Sequence, residues 1–102
     1  MMPKLTEEQQ AKGRKRFLQS PENADAARHV ASLTQQEADI LGIPLEEHQR
    51  IATMEHIRKK ASAIGVDSTE LFFSLCSDTA EEFATLVKER EAAIEGAIGT
   101  SN

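Results

Sequence analysis

Apolar side chains at Ile51, Met54, Ile57, Ala61 and Ile64 step along the chain by three, three, four and three residues. That spacing sets them on one side of a cylinder with ~3.6 residues per turn, so the segment is expected to be an amphipathic helix. The run from Pro44 to Ile64 has no glycine or proline inside it. Pro44 suits a first helical turn, where a missing N–H costs nothing, and Gly65 suits the left-handed position that ends a helix. A long central helix is expected here, with its stripe facing the core.

The flanking segments carry weaker versions of the same signals. Thr6 and Gln9 have capping-box spacing, which opens a helix at about Glu7 that runs to Gln19. Gly13 interrupts it and few of its residues are apolar, so residues 1–19 are expected to form a weakly ordered, basic helix. Ser20 and Pro21 restart the chain as an N-cap followed by proline, with Ala24, Ala27, Val30 and Ala31 on one face and an end near Leu33. Thr34 and Glu37 form a second capping box before Ala38, Ile40 and Leu41, and Gly42 stops that short helix. Asp67 and Glu70 precede a short helix carrying Leu71, Phe72, Leu75 and Cys76. Asp78 and Glu81 lead into a last helix, from about Thr79 to Ile98, striped by Ala80, Phe83, Ala84, Val87, Ile94 and Ile98. Residues 99–102 are expected to be a disordered tail.

These segments predict an all-α chain: a small compact helical bundle of five to six helices, two of them long, with residues 20–98 as its core domain. The expected core comprises Ile51, Met54, Ile57, Ile64, Leu71, Phe72, Leu75, Phe83, Val87 and Ile94. Composition agrees with this, since 102 residues suffice for one domain, and a chain without Trp or Tyr and with four Phe lacks the aromatic residues that sheets favour. No apolar run reaches the ~18–20 residues that cross a bilayer, and Lys4, Glu7 and Glu8 stand where a signal peptide would have its apolar core. A cytoplasmic location is expected, and a single cysteine, Cys76, fits a reducing compartment.

Charge adds polarity to the picture. The formal net charge is −5, yet residues 1–20 hold five bases against two acids, while residues 66–102 hold eight acids against two bases. Opposed ends of this kind favour head-to-tail association or a partner of one sign, or simply keep exposed helices hydrated. Lys12, Arg14, Lys15 and Arg16 precede Phe17, which makes them candidates for phosphate contact.

Candidate chemistry is sparse. His48 and His56 both follow a glutamate, but eight residues along a helix separate them by ~12 Å, too far to share one ion. His29 has no second ligand three or four residues away and reads as a partly exposed helical histidine. Cys76 lies among apolar residues with no base beside it in sequence. Gly-rich phosphate loops, Gly-x-Ser-x-Gly and His-Glu-x-x-His are absent. No catalytic residue, cofactor or metal is expected, and the chain is not expected to be an enzyme.

The stretch from Leu33 to Ile43 resembles the first helix and turn of a helix-turn-helix, with Ala38 where the two helices touch, Gly42 at the turn and Ile51 at a buried position of the second helix. The resemblance implies Gln49 and Arg50 as base-reading residues beside the phosphate contacts of Lys12, Arg14, Lys15 and Arg16. It departs from that motif at His48, where an aliphatic residue normally packs, and at Glu46 and Glu47, which bring negative charge toward phosphates. The favoured expectation is a protein-interaction module, a regulator, adaptor or inhibitor of bacterial, phage or plasmid type, that forms a homodimer and binds a further protein. The alternative is a DNA-binding transcriptional regulator using residues 33–51.

Overall fold

Three N-caps and two left-handed glycines divide the chain where its sequence punctuation stands. A computed structural model describes residues 5–100, with side chains as far as Gly96, and among them it contains six α-helices and no strand. Thr6 caps α1 (Glu7–Gln19) through a capping box with Gln9, and Thr34 caps α3 (Gln35–Leu41) through one with Glu37. Asp67 accepts from the Glu70 N–H at the start of α5 (Ser68–Cys76). Gly42 and Gly65, at φ 73° and 77°, end α3 and α4 (Leu45–Ile64). The turn before α2 (Ala24–Ser32) is a 3₁₀ segment, Pro21–Asn23, so Ser20 stands at the N-cap position of that turn, without a side-chain capping bond, and Asn23 precedes the helix.

The start of α6 (Ala80–Thr100) differs from the expected pair of Asp78 with Glu81. Thr79 Oγ1 accepts from the Glu82 N–H at 3.1 Å, and the Glu82 carboxylate accepts from the Asp78 N–H at 3.0 Å. The cap is one residue later because a threonine hydroxyl with a glutamate at the third helical position satisfies two end donors together. The helix continues through Gly99 to Thr100, so the tail expected over residues 99–102 is helical in its first half. Its last two residues lie outside the described ones.

α4 is the hub of the fold, packing against α1, α2, α3 and α5. Its buried residues are Ala52, Thr53, Ile57 and Ala61, which corrects the expected stripe. Thr53, Ile57 and Ala61 follow each other at four-residue spacing on one side. Ala52 lies ~140° away around the helix, on the side where His48 faces Glu37 of α3 at 3.8 Å. A helix buried on two sides shows no single stripe. Ile51 falls between the two covered sides and is 40% exposed, while Ile64, on the covered side but at the helix end, is 53% exposed. Ile94 of α6 is also exposed.

Of the remaining expected core, Ile57 and Phe72 are buried, and Met54, Leu71, Leu75, Phe83 and Val87 are half-buried. The principal cluster joins Ile57, Phe72 and Cys76 to Phe17 of α1 and Ala26 of α2. On α2 the covered residues are Ala26 and Val30; Ala31, expected on that face, is exposed. Phe73 and Leu86, outside the expected list, are buried as well.

α1 belongs to this core. It packs against α5 more extensively than any other two helices pack. Gly13, which reads in sequence as an interruption, is buried at the closest approach of the two. Arg16 then reaches across to α5 and donates to the carbonyls of Leu75 at 3.0 Å and Ser77 at 2.8 Å, groups that the end of a helix leaves unpaired.

Among the described residues α6 packs only on α5. Its 21 residues span ~31 Å against ~14 Å for the nine of α5, so much of it runs on alone. The radius of gyration, 15.5 Å, accordingly exceeds the ~13 Å of a spherical chain of this length. Arg90 marks the end of the paired part, meeting the Asp67 carboxylate at 3.1 Å.

Candidate functional site

The helix-turn-helix-like unit has the internal packing its sequence suggests. Ala38 is fully buried, Gly42 makes the left-handed turn, and α3 rests on α4. The face of α4 that would read bases is turned elsewhere. Glu46, Arg50 and Thr53 share one side of the helix, with Gln49 beside them. That side forms a wall of a groove of about 830 Å³ whose other wall is α1, with Glu7, Gln10, Arg14, Lys15 and Leu18.

The groove balances its charges. Glu7, Glu46 and Glu47 stand against Arg14, Lys15 and Arg50. Arg50 forms an ion pair with Glu47, donating through both Nε, at 2.9 Å, and Nη2. Its hydrogen bonds hold the Glu47 carboxyl below the usual carboxylate range. Burial, and then the nearby Arg50 cation, lower the Arg14 guanidinium from its ordinary value. A groove whose formal charges balance, with Arg50 already paired to Glu47, offers little attraction to a phosphate backbone.

The six candidate nucleic-acid residues therefore separate. Arg14, Lys15, Gln49 and Arg50 line the groove together. Lys12 and Arg16 turn to the corner between α5 and α6, where both pair with Asp78; the Lys12 contact is 3.1 Å. These two cations, Arg16 first, hold the Asp78 carboxyl below its ordinary range. Phe17, the aromatic neighbour that made the cluster suggestive, is 3% exposed and sits in the core, where no base can stack on it. A helix places successive residues ~100° apart, so four nearly consecutive basic residues cannot share one face.

Sequence reading missed a pair of histidines. Nδ1 of His29 on α2 lies 2.8 Å from Nε2 of His56 on α4, with the rings edge to face and their centroids 5.0 Å apart. One ring donates and the other accepts. Burial, then the His29 and Lys59 charges, push the His56 imidazole below its ordinary value, opposed by Glu55. Twenty-seven residues separate the two, so no helical spacing rule could have paired them. His48 stays with Glu37, far along α4 from His56.

The Cys76 thiol is buried and pushed up to about 11 by desolvation, opposed by the Arg14 and Arg16 charges. It stays protonated and unreactive at neutral pH. No described helix is long and apolar enough to cross a membrane.

The fold and the groove define a small all-α protein built around one central helix. The chain belongs to a family of unknown function, DUF6388, whose family model matches residues 2–101. No curated protein and no solved structure matches it.

Proposed function

We propose that this chain is a non-enzymatic protein-interaction module of the cytoplasm, a regulator, adaptor or inhibitor, that acts as a homodimer and docks a protein partner. The observation that supports this is the aliphatic surface left uncovered on the α3–α4 unit: Ile40 is 82% exposed, Leu41 58% and Ile51 40%. A seven-residue helix gains little stability from exposing two large aliphatic side chains to water, whereas covering them is favourable by about 1.5–3 kcal/mol each. Two copies related by a two-fold axis would set Ile40 and Leu41 of one against those of the other.

Sedimentation equilibrium at micromolar concentration tests it. A dimer that becomes monomeric in the Ile40→Glu/Leu41→Glu variant supports the reading, and a monomeric parent chain defeats the dimer.

The alternative, a DNA-binding regulator, draws on the buried Ala38 and the left-handed Gly42 between α3 and α4. Against it stand the place of Gln49 and Arg50 in the wall of the groove facing α1 and the pairing of Lys12, Arg16 and Arg50 with acids. Fluorescence anisotropy with duplex DNA at ~50 mM and ~200 mM salt separates the readings, because phosphate contacts weaken by orders of magnitude over that range. Tight, steeply salt-dependent binding lost in Arg50→Ala would favour the DNA reading.

A further inference from the structure

The hydrogen bond between His29 and His56 has room for one more proton and not for two. In the neutral pair one ring offers an N–H and the other a lone pair across the 2.8 Å between His29 Nδ1 and His56 Nε2. A first added proton enters at the far nitrogen of the donating ring, so the N–H···N bond survives and gains charge assistance. A second has only the accepting nitrogen left to take. It turns that nitrogen into a donor, two N–H groups and two positive charges meet head on, and the contact has to open.

The two rings belong to different helices, and α2 packs directly on α4. The charges around them do not help the second proton. His56 senses Lys59 and Glu55 of its own helix besides His29, and burial together with the two cations outweighs the glutamate. Beside them Lys60 of α4 pairs with Glu22 of the 3₁₀ turn at 3.7 Å, and Asp25 of α2 pairs with Arg28. The other helices on α4 direct their charges elsewhere: Lys12 and Arg16 of α1 to Asp78, Arg14 and Lys15 to the groove, Glu37 of α3 to His48, and Asp67 of α5 to Arg90. α2 itself is lightly held, nine residues long with only Ala26 and Val30 buried.

We propose that His29 and His56 form a proton-operated latch between α2 and α4, shut while the pair carries at most one added proton and opened by the second. In the opened chain both imidazoles take up protons near pH ~6.5, whereas the shut pair accepts one and resists the other. The latch therefore contributes its full stability above pH ~6.5 and loses it as pH falls below that value. Release of α2 uncovers Ala26, a member of the principal cluster, and Val30, which lines the groove between α1 and α4.

The chain holds three histidines, and the third, His48, is the internal control. Ring signals followed by nuclear magnetic resonance from pH 8 to pH 4 should show His29 and His56 sharing two steps more than about one pH unit apart, as a coupled pair does, and His48 a single step. In His29→Gln and His56→Gln, whose amides hydrogen-bond without titrating, the remaining partner should return to one step near pH ~6.5. Amide-exchange protection factors between pH 7 and pH 5 locate the opening. Those of residues 26–32 should fall by up to ~10-fold per pH unit in the acid half of that range, one proton's worth, while those of residues 72–76 hold. Both glutamine variants should lose this dependence, and His48→Gln should keep it. Independent single-step titration of His29 and His56 in the parent chain overturns the proposal. So does protection of α2 that is constant with pH, that falls equally in α5, or that keeps its pH dependence in the glutamine variants.

Discussion

A β-carbon built on Gly13 would lie 2.5 Å from the Cys76 sulfur and 3.3 Å from the Cys76 backbone nitrogen. The two residues mark the point at which α1 and α5 approach most closely, with Phe72 at 3.3 Å closing the third side. Glycine in mid-helix normally costs about 1 kcal/mol relative to alanine. Here that local loss permits an interhelical contact that any side chain would wedge apart.

Gly13→Ala is therefore expected to destabilise the fold by about 1–3 kcal/mol, in spite of alanine's better helix propensity, because overpacking a filled core costs that much. Removing the sulfur should relieve part of it. In urea unfolding, Gly13→Ala/Cys76→Ala should lose less than the two single losses added together. Purely additive losses would mean that the helices separate freely at this point.

The same contact shields the thiol. Cys76 is 2% exposed and its ionisation is raised to about 11. At pH 8 its alkylation by iodoacetamide should proceed only through opening of the α1–α5 contact, many-fold slower than in denaturant. Labelling of the native chain at the denatured rate would refute the burial.

Local punctuation was legible in the sequence, and partners were not. The caps at Thr6 and Thr34 and the stops at Gly42 and Gly65 depend on residues within one turn of each other, so the chain states them directly. Gly13 against Cys76, Arg16 on the carbonyls of α5, and His29 beside His56 join residues 27 to 63 positions apart. No periodicity records such pairs. The α4 stripe misled for a related reason: a hub helix covered on two sides distributes its buried residues around the cylinder, and small ones, Ala52 and Ala61, take positions that a search for large aliphatics passes over. In the candidate groove, sequence reading named four lining residues but grouped Lys12 and Arg16 with them as phosphate contacts, whereas these two pair with Asp78.

Substitution along α4 should separate the true core side from the apparent one. Ile57 is 1% exposed and Ile51 is 40% exposed, although both belong to the same apolar series. Ile57→Ala is expected to cost about 2–5 kcal/mol by opening a cavity. Ile51→Ala should stay within about 1 kcal/mol, in line with a surface position. Chemical denaturation of the two variants reads the difference, and equal losses would restore the single-stripe arrangement.

Acid should reveal the ion pair that anchors α6. The Asp67 carboxylate caps α5 through the Glu70 N–H at 3.0 Å and accepts from Arg90 at 3.1 Å. The cap bond first, then Arg90, hold its ionisation below the ordinary value of 3.8. A carboxyl depressed in the folded state contributes stability that is present above its unfolded ionisation point and is lost as pH falls through the folded one. The window therefore opens below 3.8, where the unfolded chain takes up a proton that the folded chain still refuses. Asp78, held down by Arg16 and Lys12, titrates in the same direction at the other end of α5. Asp67→Asn keeps an oxygen to accept the Glu70 N–H but removes the charge facing Arg90. Thermal unfolding followed from pH 6 to pH 2 should show the parent chain losing stability below about pH 4, with Asp67→Asn less stable at pH 6 and flatter through the acid range. An identical acid slope in the variant would show that Asp67 does not hold α6 to α5 by charge.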